Sequence, residues 1–124
     1  LNAIRMSVRP ATSVYRQFCP VALASEIFCS RWTPLVLLEL VCGSRRFNEI
    51  KRGLPRISPT LLSKRLRELQ RAGLIVERRT GKANIEYRLT DAGEALGEVV
   101  GSLGLWGIAG LNHPPRSRIS ILRC

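Results

Sequence analysis

Apolar residues recur between Ile57 and Gly73 with the period of a helix. At about 100° per residue, Leu62, Leu66, Leu69 and Ala72 gather on one side with Leu61 at the edge. Thr60, Ser63, Lys64, Arg67 and Arg71 spread over the other side. Both ends are signalled: Ser58 can accept from the open amides of the first turn, Pro59 suits the first helical position, and Gly73 suits the left-handed residue just past the end. A buried leucine face opposite a basic face is the pattern of a helix that reads DNA. The plainer alternative is an ordinary amphipathic helix with a solvated charged face. Arg65 falls beside the apolar stripe, so it is expected to snorkel or to pair with a carboxylate inside the domain, and is not counted as a DNA contact.

The segments on either side favour the DNA reading. Pro20 opens a short helix to about residue 28, with Val21, Leu23, Ala24, Ile27 and Phe28 apolar. Thr33 is expected to cap a second helix with Pro34 at its first position, and its near-continuous apolar run from Leu35 to Val41 belongs at the centre of the core; Gly43 ends it. Arg45-Arg46-Phe47 reads as a short extended stretch before a helix from Asn48 to Gly53 or Leu54. Pro55-Arg56-Ile57 then turns sharply into the Ser58–Ala72 helix. Two helices joined in this way form a helix-turn-helix, the first bracing the second.

After Gly73, two runs rich in β-favouring residues, Leu74 to Arg79 and Ile85 to Leu89, flank a loop containing Gly81 and Asn84, which is a hairpin signal. Arg78, Arg79, Lys82 and Arg88 put four cations on it, favouring phosphate or minor-groove contact over a merely solvated ribbon. Thr90 caps a last helix from Asp91 to about Leu111, with Asp91 and Glu94 near its positive end. Ala92, Leu96, Val99, Val100, Leu103, Trp106 and Ile108 give this helix more apolar surface than a small domain covers, so part of it is expected to meet another chain. Gly93, Gly97, Gly101, Gly104, Gly107 and Gly110 each weaken it by roughly 1 kcal/mol relative to Ala, so packing has to hold it. Glycines at this spacing also occur in membrane-helix interfaces, but the apolar stretch is short for the ~20 residues of a span.

The predicted architecture is mainly α with a small β-hairpin, a winged helix-turn-helix of the α+β class acting as a homodimer. Residues 1–18 are expected to be a flexible basic arm carrying Arg5, Arg9 and Arg16. Residues 19–111 are expected to form the DNA-binding domain, with its last helix at about 91–111 meeting a second copy, and residues 112–124 a tail.

Charge sharpens this division. The 124 residues carry a formal net charge of +11. Ser44 to Arg88 holds 13 basic and 4 acidic residues, whereas Leu89 to Leu111 holds Asp91, Glu94 and Glu98 and no basic residue. A basic region concentrated in this way captures polyanions, making nucleic acid the favoured partner; an acidic membrane surface is the alternative. Cys19, Cys29, Cys42 and Cys124 lie in no metal-type spacing, and His113 is the sole histidine, so no metal or other cofactor is expected. No leader can be read at the start, which implies a cytoplasmic protein with free thiols, Cys29 and Cys42 serving as buried apolar fillers. One histidine, no paired carboxylates in a cleft and no phosphate-binding glycine loop argue against an enzyme.

The strings Cys19-Pro20-Val21, Arg31-Trp32-Thr33-Pro34-Leu35, Arg46-Phe47-Asn48-Glu49-Ile50, Ile57-Ser58-Pro59 and Leu62-Ser63-Lys64-Arg65-Leu66-Arg67-Glu68-Leu69 together resemble the HxlR-type helix-turn-helix family. Ala72-Gly73-Leu74-Ile75, Glu86-Tyr87, Leu89-Thr90 and Ala92-Gly93 continue the resemblance in family order, over about residues 19–106. It implies a transcription regulator that binds a pseudopalindromic operator in double-stranded DNA as a homodimer, through its first and last helices as dimerisation helices, at about 20–28 and 91–111. Base-reading positions would be Ser58, Thr60, Ser63, Lys64 and Arg67, with Arg71 on the same basic face, and Arg78, Arg79 and Lys82 of the wing near the backbone or minor groove. Cys19 matches an N-terminal cysteine that in some members senses oxidants or electrophiles, and a helix start beside Arg16 would favour its thiolate. Elsewhere that position serves packing. The wing loop looks several residues shorter than the family's, and the glycine-rich last helix with its proline-containing tail departs from the usual charged ending. A basic winged-helix module that binds RNA, non-specific DNA or a protein partner is the competing reading.

Overall fold

The computed structural model describes residues 19–111; the expected N-terminal arm and C-terminal tail lie outside them. Five helices and one hairpin follow in the order α1 (Pro20–Phe28), α2 (Thr33–Val41), α3 (Phe47–Gly53), α4 (Pro59–Arg71), β1 (Ile75–Thr80), β2 (Asn84–Leu89) and α5 (Asp91–Gly110). This is a winged helix-turn-helix. No single described helix is long and apolar enough to cross a membrane.

The core is built around α2. Val36, Leu37 and Leu40 are fully buried against Ile50 of α3, Leu62, Leu66 and Leu69 of α4, and Leu74 and Ile75 at the entrance to the hairpin. Ile57 fills the turn between α3 and α4. The three leucines of α4 are the expected stripe, and burying each stabilises the fold by about 1.5–3 kcal/mol.

The start of α2 departs from expectation. Thr33 does not cap it: the N-cap residue is Trp32, in the left-handed region at φ 76°, with no side-chain cap bond. Thr33 is instead the first helical residue and is buried, its amide donating to the Ser30 carbonyl at 3.1 Å. Pro34 therefore stands at the second position, where a missing N–H is equally harmless. The stretch before α3 is also shorter than expected, since Phe47 already belongs to the helix, with Arg46 before it extended. The Tyr87 amide donates to the Arg45 carbonyl at 2.7 Å, tying the wing to this segment.

Helix α4 ends as its sequence predicts. Gly73 has φ 75°, its amide donates to the Gln70 carbonyl, and the Leu74 amide reaches back to Leu69, both at 3.0 Å. This Schellman arrangement reverses the chain and delivers Leu74, itself buried, to the base of the wing. Strands β1 and β2 pair antiparallel from Ile75 opposite Leu89 to Thr80 opposite Asn84, leaving a turn at residues 81–83 with Gly81 at φ 83°. Helix α5 is capped by the Thr90 hydroxyl, which accepts from the Gly93 amide at 3.1 Å and donates to the Gly73 carbonyl at 2.6 Å. One threonine thus joins the end of α4 to the start of α5.

Candidate nucleic-acid interface

The basic face of α4 begins at its cap. The Ser58 hydroxyl oxygen accepts from the Leu61 amide at 3.1 Å, fixing the first turn and leaving its proton and second lone pair for a further contact. Thr60, Lys64, Arg67 and Arg71 are exposed and lie within about 60° of one another, on the side away from the leucines. From Thr60 to Arg71, eleven steps along the chain, the helix rises roughly 16 Å, enough to present the row along a groove. Ser63 is half-buried at the margin of this row. Among the described residues, Lys64, Arg67 and Arg71 have no carboxylate partner.

Arg65 behaves in the opposite way. Its Nε donates to the Arg31 carbonyl at 2.7 Å, and its Nη1 donates to the two oxygens of Glu68 at 3.1 and 2.9 Å. Its side chain is 12% exposed. As the periodicity indicated, this cation belongs to the interior of the domain, beside a row of cations that does not.

The wing cations divide between two faces. Alternation along a strand puts Val76, Arg78, Glu86 and Arg88 on one face and Glu77, Arg79, Ile85 and Tyr87 on the other, so Arg78 and Arg79 point in opposite directions. Both arginines and Lys82 are exposed. Arg79 lies 4.0 Å from Glu77 and Arg88 lies 3.4 Å from Glu86, loose surface pairs of little energetic weight. Arg78 and Lys82 have no such partner among the described residues. Tyr87 stands opposite Glu77, and burial, helped by that carboxylate, raises its phenol above the ordinary value.

Three further cations, not singled out from sequence, extend the basic surface: Arg46 before α3, Arg52 at its end and Arg56 in the turn before α4 are all exposed. Their signal was present in the charge count of the segment from Ser44 to Arg88, but helical periodicity does not reach a turn. Lys51 is used differently, its Nζ donating to the Pro55 carbonyl at 2.9 Å and bracing that turn. Arg45 closes the C-terminal end of α2 through a bond from Nη1 to the Leu40 carbonyl at 2.8 Å. The Glu49 carboxylate accepts from the Arg45 amide at 2.8 Å; this bond, with a second from the Arg46 amide and the charges of Arg46 and Arg52, outweighs desolvation and holds it below the usual carboxylate range.

Cys19 is the exposed N-cap residue of α1, its carbonyl accepting from the Leu23 amide at 3.0 Å. Arg16 lies outside the described residues. Cys29 is not a buried filler: it is the exposed C-cap of the same helix. Cys42 is only half-buried and is disulfide-bonded, so it is not the free apolar filler expected.

The sequence profile of HxlR-like helix-turn-helix proteins matches residues 27–114. The chain belongs to this family. It is 38% identical over 93 residues to the uncharacterized HTH-type transcriptional regulator YvaP of Bacillus subtilis, covering 73% of this chain and 86% of that one. Its fold is similar to the crystal structure of PA1607, with a TM-score of 0.77 and 30% identity over 87% of this chain and 76% of that one. The redox regulator HypR in its reduced form is similar at a TM-score of 0.68 and 28% identity, over 73% of this chain and 91% of HypR. The protein is a winged-helix transcriptional regulator of the HxlR type.

Proposed function

We propose that this HxlR-type regulator binds a pseudopalindromic operator in double-stranded DNA as a homodimer, with α4 in the major groove. Thr60, Ser63, Lys64 and Arg67 read base edges, Ser58 and Arg71 contact the ends of the same groove segment, and Arg78, Arg79 and Lys82 of the wing engage the backbone or minor groove. The observation that carries this reading is the division of cations on one helix: Lys64, Arg67 and Arg71 stand unpaired and exposed, while Arg65 is tied inside. Because Arg78 and Arg79 face opposite ways, a single wing orientation brings one of them closest to the DNA and leaves the other at its flank.

The dimer uses α1 and α5. Val21 is 72% exposed, α1 has no fully buried residue, and Val99, Leu103 and Trp106 form an exposed apolar stripe on α5. That stripe is turned roughly 120° from the buried Gly93, Gly97 and Val100, so it serves a second chain rather than this core. On this reading residues 19–111 make one DNA-binding and dimerising unit.

Selection of bound sequences from a random DNA pool at about physiological salt tests the assignment. A two-fold-symmetric motif with half-sites about one helical turn apart is the expected result. Salt-sensitive binding with no enriched motif would overturn it in favour of RNA or non-specific DNA.

Cys19 carries a second role, thiol sensing of oxidants or electrophiles. It is supported by its exposure at the start of a dimer helix and by the likeness to the redox regulator HypR. Treatment with diamide should release the operator from the native protein and spare the Cys19→Ser variant; equal release from both would remove Cys19 from the mechanism.

A further inference from the structure

Arg65 is the one cation of α4 that reaches another part of the chain. Its Nε bonds the carbonyl of Arg31, 34 residues away, while its other end is clamped by Glu68 on its own helix. The acceptor lies in the turn that ends α1 and starts α2. That turn is sharply defined: Trp32 is the only described non-glycine residue at positive φ, the Thr33 amide donates to Ser30, and the Arg31 guanidinium lies 5.9 Å from the centre of the Trp32 ring. A left-handed backbone at a bulky residue is uncommon and persists where its surroundings hold it. The bond from Arg65 is one such hold.

Helix α1 packs shallowly on the rest of the domain. It has no fully buried residue, and only Ile27 and Phe28, at its C-terminal end, pack against the core. The turn that Arg65 grips is where this helix joins the core, and so helps to set its direction. In a dimer formed through α1 and α5, the displacement between the two α4 helices depends on the angle between α1 and α4 within each chain.

Resting on the dimeric operator reading above, we propose that Arg65 is a positioning residue that sets the operator half-site spacing, by fixing the recognition helix to the turn at the end of α1. It touches no base. The guanidinium suits this task because its fork donates in two directions from a rigid plane, whereas a lysine ammonium at the end of a flexible stem keeps the charge but loses that plane.

The test compares the native protein with Arg65→Lys on three duplexes, the selected operator and versions with one base pair added or removed between half-sites, and on a single half-site. The native protein should prefer the selected spacing by about tenfold or more. Arg65→Lys should bind the single half-site within about twofold of native but separate the three spacings by less than about threefold. Native-like discrimination by the variant overturns the proposal, as does an equal loss on all four DNAs, which marks a role in folding or charge alone. Should Arg65→Lys lack a cooperative melt, Glu68→Ala, which removes only the half-exposed clamp, takes its place with the same readouts. A native protein that selects no symmetric motif refutes the operator reading itself, and this proposal falls with it.

Discussion

The α-carbon of Gly93 backs onto the carbonyl of Leu74, so close that a β-carbon there would overlap the oxygen. The same oxygen accepts from the Thr90 amide at 3.0 Å, so the strand leaving α4 and the helix that closes the fold meet at one backbone atom. Gly93→Ala should therefore destabilise the protein by about 1–3 kcal/mol, read from thermal or denaturant melts. Gly101, on the same helix with nothing near its missing β-carbon, should behave in the opposite sense, and Gly101→Ala should stabilise by up to about 1 kcal/mol.

Replacing Lys64 and Arg67 with Ala should leave the melting temperature almost unchanged, since neither side chain has an internal partner. Operator binding should weaken by about 1–3 kcal/mol for each lost base contact, with relaxed preference at the bases concerned. Arg78→Ala or Lys82→Ala should instead weaken all sequences alike and reduce the slope of log affinity against log salt by about one. Competition titrations at several salt concentrations separate the two behaviours.

The acid limb of stability should contain a contribution from Glu49. Its folded-state value is depressed chiefly by the bond from the Arg45 amide, so the stabilisation is present above the unfolded carboxylate value of about 4.3 and is lost as pH falls through the folded value. Glu49→Gln should lower stability at neutral pH and flatten the loss between about pH 4 and the folded value. Melts of both proteins across that range check the sign. A variant as acid-sensitive as the native chain would remove Glu49 from the account.

Leu103 and Trp106 are 46% and 59% exposed on one stripe of α5. Replacing both with Ser should shift the solution mass from dimer to monomer by light scattering, with the helical content of each chain preserved. Operator affinity should fall with the mass, because two half-sites no longer bind as one event.

Helix α4 was legible because three independent signals coincide in it: a serine and proline at one end, a glycine at the other, and leucines at helical spacing between. The interior role of Arg65 followed from the same periodicity, although its second anchor, a carbonyl 34 residues earlier, did not. Local rules failed where tertiary contacts decide. Thr33 has the chemistry of a cap, but burial against the core draws it into the helix and leaves Trp32 to take the left-handed turn. Cys29 has the composition of a filler, but it caps the end of α1 with its side chain exposed. The opposed directions of Arg78 and Arg79 were available from strand alternation alone once β1 was placed. The cations at the end of α3 and in the turn after it, Arg52 and Arg56, had no repeating pattern to reveal them.

The separation of charge along the chain has a consequence for motion before contact. Elements from α3 to β2 carry the excess of cations, while α5 carries Asp91, Glu94 and Glu98 and no cation. A body charged in this way experiences a torque as well as an attraction in the field of a polyanion. Diffusing toward such a partner, the molecule turns its basic helix and wing forward and its acidic helix to the rear, so fewer collisions are wasted in the wrong orientation.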